Sequence, residues 1–331
     1  MRIIGELDMK EIEVTKNDSG QRIDKFLMKY FSKAPKGFVY KMLRKKRIKL
    51  NGSRAAGGEM LSEKDKIQIY LSDDTMGAFI EKKSVVHSQI KFDILYEDSN
   101  ILAVNKPAGI LSHGEKPGDR DTLIDQIQTY LFEKGEYVPS LEQSFVPALC
   151  NRLDRNTSGI VLAGKTAETL RQANGAVKNR LIIKKYKALI AGRIENSGIL
   201  EDFYKKDCET NKAVLGDGNK RIITKYNPIK TKGEYSLVEL ELVTGRSHQL
   251  RVHMASKGWP IVGDTKYGDQ KVNRYFRQLA SVKRQLLHAY WVELGGFADE
   301  LEYLNGMKII SEIPKDFKGA EKLVFENIQK A

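Results

Sequence analysis

The chain has 331 residues and a formal net charge of +13, from 56 Lys and Arg against 43 Asp and Glu, with 41% hydrophobic residues. That length exceeds one ordinary compact domain and that composition is globular, so the expectation is two domains, one of them small. Two widely separated cysteines exclude a disulfide framework, no run approaches the roughly 18 apolar residues of a membrane span, and "MRIIGELDMKEIEVT" has no signal-peptide core; together these point to a reducing, cytoplasmic setting.

In chain order, residues 1–8 read as an extension and 9–72 as a compact basic module. "RIDKFLMKYF" places Ile23, Phe26, Leu27, Tyr30 and Phe31 at helical spacing. "APKG" interrupts, and "FVYKMLRKKR" resumes the period with Phe38, Val39, Met42 and Leu43 inward. Lys41, Arg44 and Lys45, spaced i, i+3, i+4, share the outer side. "RIKLNGSR" predicts a short strand entering an Asn-Gly turn, and "KIQIYL" a half-buried strand. From Lys36 to Arg54 there are eight basic residues and no acidic one. A solvated helix face usually mixes signs, whereas an unopposed basic helix, turn and strand suits a phosphate backbone.

Residues 73–90 lack a strong period and read as a linker. The second domain is expected over 91–305. Its apolar run "ILAVN" ends at Lys106-Pro107-Ala108-Gly109, and "IVLAG" is a further strand. "ETLRQANGAVKN" predicts a helix, "KKYKALIAGRI" a strand, and "YSLVELELVTG" a strand with Val238, Leu240 and Leu242 on one face. "SHQLRVHMASKG" predicts a helix capped by Ser247 and stopped at Gly258. Residues 306–331 suggest a packed strand and a short terminal helix. No βαβ spacing repeats. The fold class is therefore α+β, a largely antiparallel or mixed sheet with flanking helices, preceded by a small α/β domain.

"NRLDRNTSGIVLAGKT" contains G-x-x-x-x-G-K-T from Gly159 to Thr166, the spelling of a phosphate-binding loop. Such a loop needs a strand before its first glycine and flexible backbone between the two. Here a turn precedes Gly159, and Ile160, Val161, Leu162 and Ala163 are strand residues, so no nucleotide cofactor is expected. In the other half, Asp154 lies between Arg152 and Arg155 at the mouth of a turn. A carboxylate beside guanidinium groups stays ionised, and on a rigid turn it can act as nucleophile or base, or form only a surface ion pair. His248 and His253 lie five apart and, without further His or Cys at ligand spacing, predict no metal site. His113 and His288 read as packing or hydrogen-bonding residues.

Several segments in order resemble the RluA family of RNA pseudouridine synthases. "RLDRNTSGIVLAGK" is similar to the family signature around its catalytic aspartate, which falls on Asp154. "LYEDSNILAVNKPAGILSH" resembles the opening of its catalytic domain. "KKYKALIAG" resembles the motif of its active-site tyrosine, which falls on Tyr186. "LVTGRSHQLRVHMASKGWPIVGDTKYG" resembles the motif whose arginine pairs with the aspartate, which falls on Arg251. The N-terminal module resembles the small RNA-binding module of the S-four ribosomal type. One position departs: the family carries His before Arg152, and this chain has Asn151, so turn geometry that depends on that His does not carry over.

The resemblance implies an isomerase that acts on RNA, large-subunit ribosomal RNA first among candidates, with no cofactor. Asp154, Tyr186 and Arg251 would be catalytic. Arg152 would fill the space a flipped uridine leaves, Arg155 would assist binding, and Lys41, Arg44 and Lys45 would hold RNA away from the chemistry. Nothing in the pattern requires a second copy, so a monomer is expected. A non-catalytic RNA-binding assembly factor would have no need of Asp154, Tyr186 and Arg251 together. A methyltransferase would need a Gly-rich loop after a first strand, which is missing.

Overall fold

The computed structural model describes residues 9–81, 84–116, 118–207, 212–216 and 218–326. The expected extension at 1–8, Cys208 and the last five positions of the chain lie outside the described residues. Two compact units are present. One holds the described residues up to His87 together with Ile127–Pro147 and Thr166–Glu168; the other holds Ser88–Gln126, Ala148–Lys165 and the chain from Thr169 onward.

The first unit begins with β1 (Met9–Glu13), α1 (Ile23–Tyr30), α2 (Lys36–Arg44), β2 (Ile48–Leu50), β3 (Ser53–Arg54) and β4 (Lys66–Tyr70). The strands form an antiparallel sheet in the order β1-β4-β2-β3. Ile23, Phe26 and Leu27 of α1 and Val39, Met42 and Leu43 of α2 are buried against Ile48, Ile67 and Ile69, which is why both helices follow the apolar spacing. Pro35, which has no N–H to lose, precedes the first residue of α2. Asn51 and Gly52 both take positive φ, 50° and 80°, the backbone a two-residue hairpin of this kind requires.

Two features of this unit differ from the sequence reading. Residues 73–90 were expected as linker, but Asp73–Phe79 form a helix, α3, that buries Met76 and packs the Phe79 ring against Phe38 in a tilted contact, centroids 4.4 Å apart. The helix is too short, and too interrupted by Gly77, to show a period. The span 91–305 was expected as one domain, yet Ile127–Pro147 and Thr166–Glu168 belong with the first unit. There the buried Asp18 carboxylate accepts hydrogen bonds from the Ser144 N–H at 3.1 Å and hydroxyl at 2.6 Å, a pairing across 126 residues that no local pattern reveals.

The second unit is built on β5 (Asp93–Glu97), β6 (Ile101–Lys106), α4 (Leu123–Glu133), β7 (Ala148–Leu149), β8 (Ser158–Gly164), α5 (Ala167–Lys178), β9 (Ile183–Ala191), β10 (Gly198–Asp207), β11 (Lys212–Leu215), β12 (Lys220–Lys232), β13 (Tyr235–Leu242), α6 (Gln249–Ser256), α7 (Gln270–Ala280), β14 (Leu287–Glu293), β15 (Lys308–Ile310) and α8 (Lys315–Phe325). From Ile127 onward α4 is grouped with the first unit. An eleven-stranded sheet runs β11-β10-β12-β13-β9-β14-β8-β6-β5, with β15 beside β14 and β7 beside β8. Every pairing is antiparallel except β14 with β8, so the sheet is mixed and the fold is α+β.

All seven residues of β8 are buried, which accounts for its unbroken apolar run. Ile160 and Leu162 pack with Ala173 and Ala176 of α5. On another part of the sheet, Leu189 and Leu237 pack with Phe276 of α7 and Phe317 of α8. Gly159 has φ 117°, and a Cβ there would stand 2.1 Å from the Ala289 carbonyl oxygen of β14. Only glycine permits β14 and β8 to approach so closely. The first glycine of the apparent phosphate loop thus serves strand packing, and the residues after it spend their backbone on the ladder with β6.

The N-cap of α6 also differs from expectation. His248, not Ser247, precedes the first helical residue, in a left-handed conformation. The Ser247 hydroxyl instead accepts a hydrogen bond from Arg152. Gly258, with φ 77°, follows the C-cap as expected. Among the described residues no helix is long and apolar enough to cross a membrane.

His253 and His288 are both fully buried, bonded to Thr224 and Ser158, and burial pushes each down to about 4. The unfolded chain, at about 6.5, takes up these protons first, so stability is lost as pH falls from 6.5 towards 4. The expected loss by pH 5 is on the order of 1–2 kcal/mol per histidine. Urea midpoints at pH 7 and pH 5 should separate less in a His253→Asn, His288→Asn variant than in the parent.

Candidate active site

Asp154 stands on the turn between β7 and β8, in which Asn151, Leu153, Arg155, Asn156 and Thr157 are each tied down through the backbone or a short side chain. The Asn151 carboxamide lies along β8, accepting from the Leu162 N–H at 2.8 Å and donating to the Ile160 carbonyl at 3.3 Å. Asn at this position therefore extends the strand pairing begun by β7. The Ser112 hydroxyl both receives the Leu153 N–H at 3.0 Å and donates to the Leu153 carbonyl at 2.8 Å. The Thr157 N–H closes the turn on the Asp154 carbonyl at 3.1 Å. Arg284, clamped by Asp316, donates to the Asn156 carbonyl at 3.3 Å.

Lys106, at the end of β6, is fully buried. Its ammonium donates to the carbonyls of Pro107, Ile110 and Arg155 at 3.0, 2.8 and 3.0 Å. Burial presses this amine down to about 7; the Asp154 charge opposes that shift and Arg284 adds to it.

The Asp154 carboxylate accepts a hydrogen bond from Arg251 at 3.0 Å. Arg251 projects from α6 and is held from its other side by Asp264, at 2.7 and 2.9 Å, in a two-pronged pairing. The Arg251 side chain is 8% exposed, Asp264 0% and Asp154 26%. Burial opposes the Arg251 charge, but the Asp264 hydrogen bonds and the charges of Asp264 and Asp154 outweigh it and hold the guanidinium protonated. Burial likewise works to raise the Asp264 carboxyl, yet Arg251 and the N–H groups of Lys266 and Tyr267 bring it below its ordinary value.

Tyr186 lies on β9, between Leu240 and Ala289 in the sheet register. It is 4% exposed, and its hydroxyl makes no hydrogen bond among the described residues. Burial, reinforced by the Asp154 charge, raises its pKa well above the ordinary tyrosine value. Asp154, Tyr186, Arg251, Arg152 and His248 line one cavity of about 60 Å³. A larger groove of about 420 Å³ shares Arg152, Asp154 and His248 and adds Arg155 and His113.

The structure thus brings together Asp154, Tyr186, Arg251 and Arg152, with Arg155 exposed on the adjoining groove. Arg152 donates to Ser247 at 2.8 Å. Lys41, Arg44 and Lys45 belong to the first unit, exposed on α2 and its C-cap. Lys106 and Asp264 were missed by sequence reasoning. A lysine closing a buried apolar strand is a signal for the first; "GDTKYG" offers none for the second. Among the described residues no three His, Cys, Asp or Glu gather in a way that could hold a metal ion.

The family described as RNA pseudouridylate synthase matches residues 100–256. Ribosomal large subunit pseudouridine synthase D of Borreliella burgdorferi is 31% identical over 92% of this chain and 90% of its own length. Ribosomal large subunit pseudouridine synthase C of Rickettsia felis is 32% identical over 78% and 85%. The chain belongs to the RluA family of RNA pseudouridine synthases. This synthase is accordingly an isomerase that acts on RNA. Its fold is similar to that of human RNA pseudouridylate synthase domain containing 4, with a TM-score of 0.52 and 23% identity over 69% of this chain and 90% of the human one.

Replacing Asp264 by Ala leaves the buried guanidinium of the synthase with a single, part-exposed carboxylate. The expected cost is about 3 kcal/mol of unfolding free energy, against about 1 kcal/mol for Asp154→Ala. Denaturant midpoints at constant slope check this; equal losses would show that Asp264 is not the anchor.

Proposed function

We propose that this synthase converts uridines of large-subunit ribosomal RNA to pseudouridine, with Asp154 as the reacting carboxylate. The observation that carries the proposal is one cavity in which Asp154, Tyr186 and Arg251 meet. The relatives named as ribosomal large subunit pseudouridine synthases support the substrate class.

The reaction breaks the N1–C1′ bond, turns the uracil and joins C5 to C1′, with one proton leaving C5 and one arriving at N1. Nothing is oxidised or hydrolysed. Asp154 engages the nucleotide as nucleophile or as electrostatic partner, and Arg251 keeps its carboxylate oriented. Tyr186 offers its ring to the uracil face. Its raised pKa keeps the hydroxyl protonated, so it serves as a donor or as one member of a proton relay rather than as a lone base. The uridine reaches the cavity by leaving its stack, and Arg152 occupies the space it vacates. Arg155 meets the backbone in the groove. The α2 cations add affinity on the first unit, read as an RNA-binding module of the S-four type. One chain carries Asp154, Tyr186 and Arg251, so a monomer acting in the cytoplasm meets the needs of the reaction.

Unmodified ribosomal RNA incubated with the parent and with Asp154→Ala, then mapped by carbodiimide adducts and primer extension, tests the reading. Sites are expected with the parent and not with the variant; no sites with either would sink the substrate assignment. A Lys41→Glu, Arg44→Glu, Lys45→Glu variant should bind RNA more weakly, with a salt slope smaller by about 2–3, and keep its rate at saturating RNA. An unchanged slope would remove α2 from the RNA interface.

A further inference from the structure

His248 lines both the Asp154 cavity and the adjoining groove. Its backbone is left-handed, φ 56° and ψ 14°, although it is not glycine, and α6 starts immediately after it. A residue keeps such a conformation only where its surroundings impose it.

The ring's surroundings also assign its tautomer. The Tyr267 hydroxyl oxygen accepts the Ala213 N–H at 2.7 Å and lies 3.0 Å from His248 Nδ1. A backbone amide can only donate, so the tyrosine proton remains to be placed, and Nδ1 is the acceptor it meets. An imidazole that accepts at Nδ1 carries its own proton on Nε2. The opposite tautomer would leave the Tyr267 proton with no acceptor among the described residues. Four charged groups act on the ring: Asp154, Arg251, Lys266 and Asp264. Burial is the strongest influence, and it keeps His248 below its ordinary value against the pull of Asp154, so the ring is neutral. With Nδ1 engaged, Nε2–H is the polar group left to offer an occupant; it makes no hydrogen bond among the described residues.

We propose that His248 donates from Nε2–H to a carbonyl oxygen of the flipped uracil. This rests on Asp154 as the reaction centre. A neutral donor suits a neutral carbonyl, whereas phosphate oxygens have the exposed cations Arg152, Arg155 and Arg246 at the rim. Whichever atom Asp154 engages, the electron pair released at the nucleotide moves onto the base and its carbonyl oxygens. A donor placed there stabilises the activated base more than the resting one, so its loss slows the reaction more than it weakens binding.

Two measurements test the proposal. Nitrogen-15 spectra of histidine-labelled protein should show the Nε2–H tautomer at His248, and Tyr267→Phe should convert it to a mixture. On RNA with a mapped target, His248→Leu should lower the single-turnover rate about 100-fold while Kd stays within about 3-fold, and His248→Gln should recover part of the rate. Thio-substitution of the contacted carbonyl, at position 2 or 4 of the target, should slow the parent and leave His248→Leu no slower. An Nδ1–H tautomer, a His248→Leu rate equal to the parent's, or thio effects equal in both proteins at both positions would overturn the inference. A parent that forms pseudouridine while Asp154→Ala does not upholds the underlying reading even if His248 fails. A parent inactive on every RNA removes both.

Discussion

A guanidinium taken out of water needs carboxylates beside it, and Arg251 has two. Asp264, fully buried, grips one edge with paired hydrogen bonds; Asp154, part exposed, takes one from the remaining nitrogen. The unequal exposure divides their tasks. Asp264 has no route to an occupant and anchors the arginine. Asp154 is the member of the trio that can meet one. Removing either acid alters the setting of the other, because a buried charge with fewer partners is costly.

Fixing the arginine would achieve little if the turn bearing Asp154 were loose. Three groups from separate parts of the chain hold that turn by its carbonyls and N–H groups, Lys106 from β6, Ser112 after it and Arg284 before β14, and the turn's own Asn151 carboxamide ties its start to β8. Beneath them β8 is buried along its whole length, and Gly159 lets β14 lie almost against it. The carboxylate is thus presented by the sheet rather than by a free loop, and it need not be reordered when a substrate arrives.

The molecule separates two electrostatic tasks. In the cavity, the buried Arg251 is matched by Asp264 and the part-exposed Asp154, with Arg152 and Arg246 exposed at its rim, and burial keeps the histidine ring neutral and the tyrosine hydroxyl protonated. On α2 the cations are exposed and unopposed by any acid between Lys36 and Arg54. The Arg251–Asp264 pairing keeps its strength in salt because both side chains are buried; the α2 cations are screened by salt and suit a long polyanion. In the proposed function these correspond to chemistry on one base and attachment to the RNA around it.

By itself the sequence determined what depends on neighbours along the chain. The apolar spacing of α1 and α2, the Asn-Gly hairpin, the buried strand β8 and the strand character hidden in the phosphate-loop spelling all follow from residues within a few positions of each other. The family motifs further singled out Asp154, Tyr186 and Arg251 as candidates, and the fold brings the three to one cavity. Tertiary structure alone decided what depends on distant residues. It brought Asp264 to Arg251, Lys106 to the Arg155 carbonyl and Tyr267 to His248. It joined 127–147 to the first unit through Asp18 and Ser144, and it moved the start of α6 from Ser247 to His248. Hydrogen bonds and burial are short-ranged in space, and the sequence records only order along the chain; which distant groups come within 3 Å is fixed when the sheet folds.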